Sequence, residues 1–330
     1  MELKLLTGIL EQSRNLGMRS LKITGGEPLL YDSFMGLLEF LKKKGWGLFL
    51  YMETNGTMID KKMAQALKQA GMKFVSVSID GDNPDTHDKM RGIKGTFEKA
   101  IKAVESMVGQ GMPVQIIASV YRRNLGELEN IAKIAEGLKA ESVKANIITS
   151  MGRANFMDGN KELLSIEEML ELNKKIEGEY RKRFKLRFCS SLPVAFRSFK
   201  RMLEEKTGFC RVKGLLGILA TGKVSICGIG EEIAELILGD ARKDSIKDIW
   251  QKNPVLWRIR NDIPSKLEGI CKACLFKNYC LGHCIAKNYY STGKFTSPFW
   301  ICQEAFEKQL FPRGRFFAPR DGSSLPNRLF

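Results

Sequence analysis

Seven cysteines form one spaced series in the last third of the chain: Cys210, Cys227, Cys271, Cys274, Cys280, Cys284 and Cys302. Eleven residues separate Cys210 from Gly222, four more separate Gly222 from Cys227, and the central run is Cys-x2-Cys-x5-Cys-x3-Cys. The remaining cysteine is Cys189, and none precedes it. Thiolates at this density in a long chain hold metal, and iron–sulfur clusters take them in fours. The N-terminus, Met1-Glu2-Leu3-Lys4, leads into a helical pattern rather than an export signal, so the cytoplasm is the expected compartment. Its reducing thiols favour metal ligation over disulfides. Short-spaced cysteine pairs also build zinc ribbons. Seven thiols fit two clusters better than one tetrahedral zinc, and His283, between Gly282 and Cys284, is expected to face solvent.

A second group with chemical potential is Gly25-Gly26-Glu27-Pro28, directly after the strand-like Ser20-Leu21-Lys22-Ile23-Thr24. Two glycines allow backbone to approach a ligand with no Cβ in the way. A carboxylate at the C-terminal end of a parallel strand faces the mouth of a β/α barrel, where it can hold an ammonium group. The competing reading is a plain strand-to-helix turn.

These groups need a scaffold. Helical spacing over 2–17, 33–44, 61–70, 96–108 and 125–138 alternates with strand patterns at 20–24, 48–52, 74–79, 114–120 and 143–149. That alternation predicts βαβ units and a parallel sheet with right-handed crossovers. Five strands are counted, and a helix precedes the first, which suggests a strand missing ahead of it. Residues 165–183 carry a strong amphipathic pattern opened by Ser165 and Glu168, a capping box. The expected division is 1–155 as a partial barrel, 156–205 as a helical bridge, 206–305 as a cysteine-rich iron–sulfur domain, and 306–330 as a basic disordered tail.

Composition narrows the function classes. No apolar run approaches the ~18 residues of a membrane span. The net charge of +16 is spread along the chain, which suits a lysine-rich surface better than a nucleic-acid footprint. The Asp80, Asp82, Asp85, Asp88 group lacks the glycine spacing of an EF-hand, and there is no Walker loop. With only His87 and His283, histidine is a poor source of general bases. His87 is expected in a loop or at a helix start.

Taken together and in order, these landmarks resemble the radical S-adenosylmethionine enzymes that carry a C-terminal SPASM extension. Glu53-Thr54-Asn55-Gly56-Thr57, Ser78-Ile79-Asp80-Gly81, Arg91-Gly92 and Gly152-Arg153-Ala154 extend the likeness over roughly residues 1–305. The resemblance implies a (β/α)6 partial TIM-like barrel, N-terminally incomplete, with a small cysteine-rich domain. It implies that Gly25, Gly26, Glu27 and Pro28 bind the amino group of S-adenosylmethionine, with Ser78 and Asp80 at its sugar or amino-acid part. It further implies that Cys271, Cys274, Cys280 and Cys302 ligate an outer auxiliary [4Fe–4S] cluster, and Cys210, Cys227 and Cys284 three irons of an inner one. Cys189 matches no motif position; an open iron could instead take a substrate thiolate.

The expected activity is hydrogen abstraction from a peptide or protein side chain by a 5′-deoxyadenosyl radical, with a reductant such as flavodoxin or ferredoxin. No catalytic residue is assigned, and neither membrane nor nucleic-acid partners are expected. The family's Cys-x3-Cys-x2-Cys loop is absent from the 330 residues. The sequence-based expectation is therefore a truncated or degenerate chain that does not cleave S-adenosylmethionine by itself. The alternative class is a non-catalytic iron–sulfur or zinc protein acting as electron carrier, scaffold or basic binding module.

Overall fold

Strand patterns in the first half supply five strands, and a short sixth at Arg187–Ser190 joins them in one sheet. The computed structural model describes residues 1–159, 161–204 and 210–317. Chain contacts divide it into two compact units, one made of Met1–Leu164 with Lys174–Ser191, the other of Ser165–Asn173 with Leu192–Phe330.

In the first unit, β1 (Ser20–Ile23), β2 (Phe49–Thr54), β3 (Met72–Ser78), β4 (Val114–Val120), β5 (Ser142–Ile147) and β6 (Arg187–Ser190) pair in sequence order, every pair parallel. α1 (Leu3–Asn15) precedes β1, and α2 (Phe34–Lys44), α3 (Lys61–Gln69), α4 (Pro84–Arg91), α5 (Thr96–Gly109) and α6 (Leu128–Gly137) fill the crossovers up to β5. This is the partial TIM-like barrel expected from the sequence.

One face of β4 presents Val114, Ile116, Ala118 and Val120, all buried, while Gln115, Ile117 and Ser119 on the other face are half-buried. The second face carries a polar ladder. Ser76 Oγ donates to Gln115 Oε1 at 3.4 Å, and Gln115 Nε2 donates to Ser142 Oγ at 3.0 Å. Ser78 lies two residues beyond Ser76, on the same face, and opens toward the C-terminal mouth. Asp60 caps α3 by accepting from Met63 N at 2.7 Å, and Asn83 caps α4 with Pro84 at its first turn.

Two features differ from the sequence reading. The sixth strand, Arg187–Ser190, lies inside the stretch expected to be a helical bridge. Its register, Val143 opposite Phe188 and Lys144 opposite Cys189, is set by β5. The amphipathic stretch 165–183 is an α-helix only over Ile166–Lys175; the backbone then widens into a π-turn at Ile176–Tyr180. Its capping box is present: Ser165 N donates to Glu168 Oε2 at 2.7 Å and Glu168 N to Ser165 Oγ at 3.2 Å.

The second unit contains a small antiparallel sheet, β7 (Gly217–Ile218), β8 (Lys223–Ser225) and β9 (Ile237–Asp240), surrounded by short helices. Residues 306–317, expected to begin a disordered tail, are packed. Phe311 is buried, Phe317 N donates to Ala273 O, and Leu275 N donates to Arg315 O. The rest of the expected tail, 318–330, lies outside the described residues. Among the described residues no helix is long and apolar enough to cross a membrane.

Candidate functional site

The first candidate site is a cavity of about 510 Å³ at the C-terminal ends of β1, β2 and β3, within the range of small-molecule sites. Its wall includes Gly25 and Gly26, Glu53, Thr54 and Asn55, Ser78, and Arg91, Thr96 and Lys99. Gly25 has φ +142°, a backbone conformation that other residues rarely adopt. Gly26 has no such constraint. A Cβ at either position would meet no protein atom within 4 Å. The protein's own packing therefore does not explain Gly26, whereas a close-lying ligand would.

Glu27 and Pro28 stand just behind this wall. Pro28 is buried and opens a 3-10 turn over Pro28–Leu30. The Glu27 carboxylate accepts from Thr54 Oγ1 at 2.7 Å, Leu29 N at 3.2 Å and Asn55 N at 2.7 Å, so it is pinned against the end of β2. Glu53 is paired with Lys22 at 2.6 Å.

Ser78 lines the cavity and Asp80 does not. Asp80 is fully buried, and its Oδ1 accepts from Ser119 N at 2.7 Å. Its Oδ2 pairs with the Arg91 guanidinium at 2.5 Å. Asn124 Nδ2 donates to its carbonyl at 2.7 Å. Asp80 thus braces Arg91, whose side chain keeps 29% exposure and reaches the cavity.

His87, expected in a loop or at a helix start, is the fourth residue of α4; it is 1% exposed and lines the cavity. Its Nδ1 accepts from Asp80 N at 3.0 Å, which places the neutral ring's proton on Nε2. Burial lowers its pKa below the usual imidazole value, against the opposing pull of Asp80. Asp88, on the same helix, accepts from Gly95 N, Thr96 Oγ1 and Phe97 N, tying α4 to α5.

The second candidate site lies in the cysteine-rich unit, where the fold sorts the seven thiols into two sets. Cys271, Cys274, Cys280 and Cys302 line one small cavity of about 10 Å³ with mainly apolar walls such as Val194, Ile270, Phe299 and Phe311. These four interact electrostatically with one another. Burial pushes the Cys271 thiol up to about 11 and Cys280 to about 12, and raises Cys302 well above the ordinary thiol value. Cys210, Cys227 and Cys284 form the other set. Cys210 is exposed as a residue, yet neighbouring atoms desolvate its sulfur and, with Cys284 and Cys227, push its thiol up to about 11; Cys284 is raised by burial and by Cys227. Buried thiols that resist ionisation become good ligands once a bound cation supplies positive charge. Among the described residues no three Cys, His, Asp or Glu groups stand at the spacing of a single metal ion. The donor types and their grouping into four and three suit sulfur-ligated clusters.

The hairpin β7–β8 delivers Cys227. Gly222, with φ +86°, makes its turn, and a Cβ on Gly217 would stand 2.6 Å from the Cys227 carbonyl carbon. Cys284 is the N-cap of the helix Ile285–Thr292. His283 is half-buried rather than solvent-facing, its ring 4.4 Å from that of Phe299. Cys189 is a half-exposed residue of β6 in the first unit.

Sequence reasoning missed Lys99 and Lys287. Lys99 has no signal beyond its place on an amphipathic helix. Lys287 follows Cys284 by three residues, is 7% exposed, and among the described residues its Nζ has no hydrogen-bond partner. Burial lowers its pKa to about 8.

Residues 4–135 match the Radical SAM superfamily and residues 210–275 match SPASM, described as an iron–sulfur cluster-binding domain. The second match takes in Cys210, Cys227, Cys271 and Cys274. The chain is 28% identical over 301 residues to an AdoMet-dependent heme synthase of Methanosarcina barkeri, covering 87% of this chain and 82% of that protein. It is 25% identical over 280 residues to a PqqA peptide cyclase of Rhizobium meliloti, covering 84% and 72% respectively. The fold matches the solved structure of native anSMEcpe with bound AdoMet and a Kp18Cys peptide, with TM-score 0.69, 18% identity, and coverage of 94% and 88%.

Proposed function

We propose that this chain, a Radical SAM superfamily domain joined to a SPASM domain, binds S-adenosylmethionine at the barrel mouth, and that the activity it serves is hydrogen abstraction from a peptide or protein side chain, which these 330 residues do not carry out by themselves. The observation that carries the first part is the Gly25–Gly26 cradle. Both glycines line the cavity, and a Cβ at either would meet no described protein atom within 4 Å.

The chain's residues have distinct tasks. Gly25 and Gly26 bring backbone against the ligand. Glu27, held by Thr54, Leu29 and Asn55, fixes a negative charge beside the loop for the ligand's ammonium group. Arg91 and Lys99 supply positive charge across the cavity for its carboxylate. Ser78 offers a hydroxyl at the end of β3. His87, neutral and engaged through Nδ1, shapes the wall and donates only through Nε2. When reduced and cleaved, S-adenosylmethionine supplies a radical that removes a substrate hydrogen.

In the second unit, Cys271, Cys274, Cys280 and Cys302 would hold one [4Fe–4S] cluster, and Cys210, Cys227 and Cys284 would bind three irons of another. A reductant of the flavodoxin or ferredoxin type would feed electrons. No cysteine precedes Cys189, and we propose that these 330 residues by themselves release no 5′-deoxyadenosine; its formation by the purified, reconstituted chain would refute that.

A second reading of the substrate is favoured by the heme-synthase relative: a tetrapyrrole instead of a peptide. Titrating the protein with a porphyrin and with candidate peptides separates the two by which one binds. The cofactor reading is tested by calorimetry with S-adenosylmethionine. Gly26→Val should keep the wild-type melting temperature and lose binding. Unchanged affinity in that variant would remove the cradle from the account.

A further inference from the structure

Lys287 sits on the first turn of Ile285–Thr292, three residues after the N-cap Cys284. It is 7% exposed, and among the described residues its ammonium has no hydrogen-bond partner. A buried ammonium has three donors to satisfy, and leaving them unmet is costly. Its Nζ lies over a ring, 5.1 Å from the centroid of Trp300. The titratable group it interacts with among the described residues is Cys284, three residues earlier. The backbone amides of Ala286 and Lys287 also point at the Cys284 sulfur. One helix end and one sealed cation therefore face the same thiol. Nothing similar from Lys287 reaches the other four thiols.

We propose that Lys287 is the charge-compensating residue of the Cys210, Cys227, Cys284 centre, its ammonium opposing the negative charge that a thiolate-ligated iron–sulfur group brings there. This rests on the cluster reading of the three cysteines. Lys287 ligates nothing; it positions charge. Cluster potential depends on net charge and burial, and a fixed cation makes uptake of one electron easier. The centre formed by Cys271, Cys274, Cys280 and Cys302 serves as the internal control.

The test is an anaerobic redox titration of the reconstituted full chain, following the spectroscopic signal of each reduced cluster. Lys287→Met keeps an unbranched side chain against Trp300 and removes the charge; Lys287→Arg keeps the charge. In K287M the midpoint of one centre should move to more negative potential by at least about tenfold in the reduction equilibrium, ~59 mV for one electron. The other centre should not move, and K287R should stay near wild type. If K287M instead fails to load one centre while K287R loads it, the charge role stands. The proposal is overturned if both midpoints in K287M match wild type, or if K287R behaves like K287M. Wild-type protein that takes up no iron would defeat the cluster reading itself, a result distinct from an unmoved potential.

Discussion

Replacing Asp80 tests whether it touches ligand or braces Arg91. In Asp80→Ala, the Ser119 amide loses its acceptor, at a cost of about 1–3 kcal/mol. Removing one partner of a fully buried ion pair costs about 3–5 kcal/mol. Arg91 retains 29% exposure, so water recovers part of that loss and about 2 kcal/mol is the better figure. The total for D80A is then about 3–5 kcal/mol. Asp80→Asn keeps the acceptor and loses only the charge, so it should cost about 2 kcal/mol. Arg91→Ala strands a carboxylate that is 0% exposed and should cost about 3–5 kcal/mol. The double variant D80A/R91A should fall short of the sum by about 2 kcal/mol, because neither charge is left alone. Urea unfolding with an unchanged m-value is the assay, and S-adenosylmethionine affinity is measured alongside. Additive costs, or a D80N variant of wild-type stability that no longer binds the ligand, would refute the bracing role and restore Asp80 as a contact residue.

Two more outcomes follow from the packing. Gly217→Ala places a methyl 2.6 Å from the Cys227 backbone, so it should lower iron content and the signal of one cluster while the Cys271 set keeps its own; full iron loading would contradict the close approach. His87 makes stability depend on pH. Its folded pKa lies below the ordinary 6.5, so the unfolded chain binds more protons in the window beneath 6.5, and stability declines as pH falls through it and holds above it. Urea midpoints compared at about pH 7.5 and about pH 5.5 should show that decline in wild type and less of it in His87→Gln.

The parallel sheet was legible because β2 to β5 alternate or run apolar between glycine and asparagine turns. β6 was not legible: four residues, Arg187–Ser190, carry no pattern of their own and become a strand only through their pairing with β5. Asp80 was misplaced for a related reason. Two-residue periodicity from Ser78 puts it on the same face, but β3 ends at Ser78, and beyond that point the chain turns the carboxylate inward to Ser119 and Arg91. Asn83 and Pro84 announce the start of α4 clearly, yet nothing local shows that its fourth residue, His87, faces a cavity. Cysteine spacing alone revealed the thiols, while their division into four and three was available only through the family resemblance. That division comes from the β7–β8 hairpin and the cap at Cys284, which bring together residues distant in sequence. Lys287 left no trace, since a lysine in a helix is ordinarily solvated.

The central claim is that the seven thiols form two separate iron–sulfur centres. The most direct measurement is iron and acid-labile sulfide per chain, with cluster spectra, on anaerobically reconstituted wild type and on Cys271→Ala and Cys284→Ala. Wild type should carry two four-iron clusters, and each variant should lose a different one of two distinguishable signals. A colourless protein with free thiols or a single zinc, or two variants that lose the same signal, would contradict it.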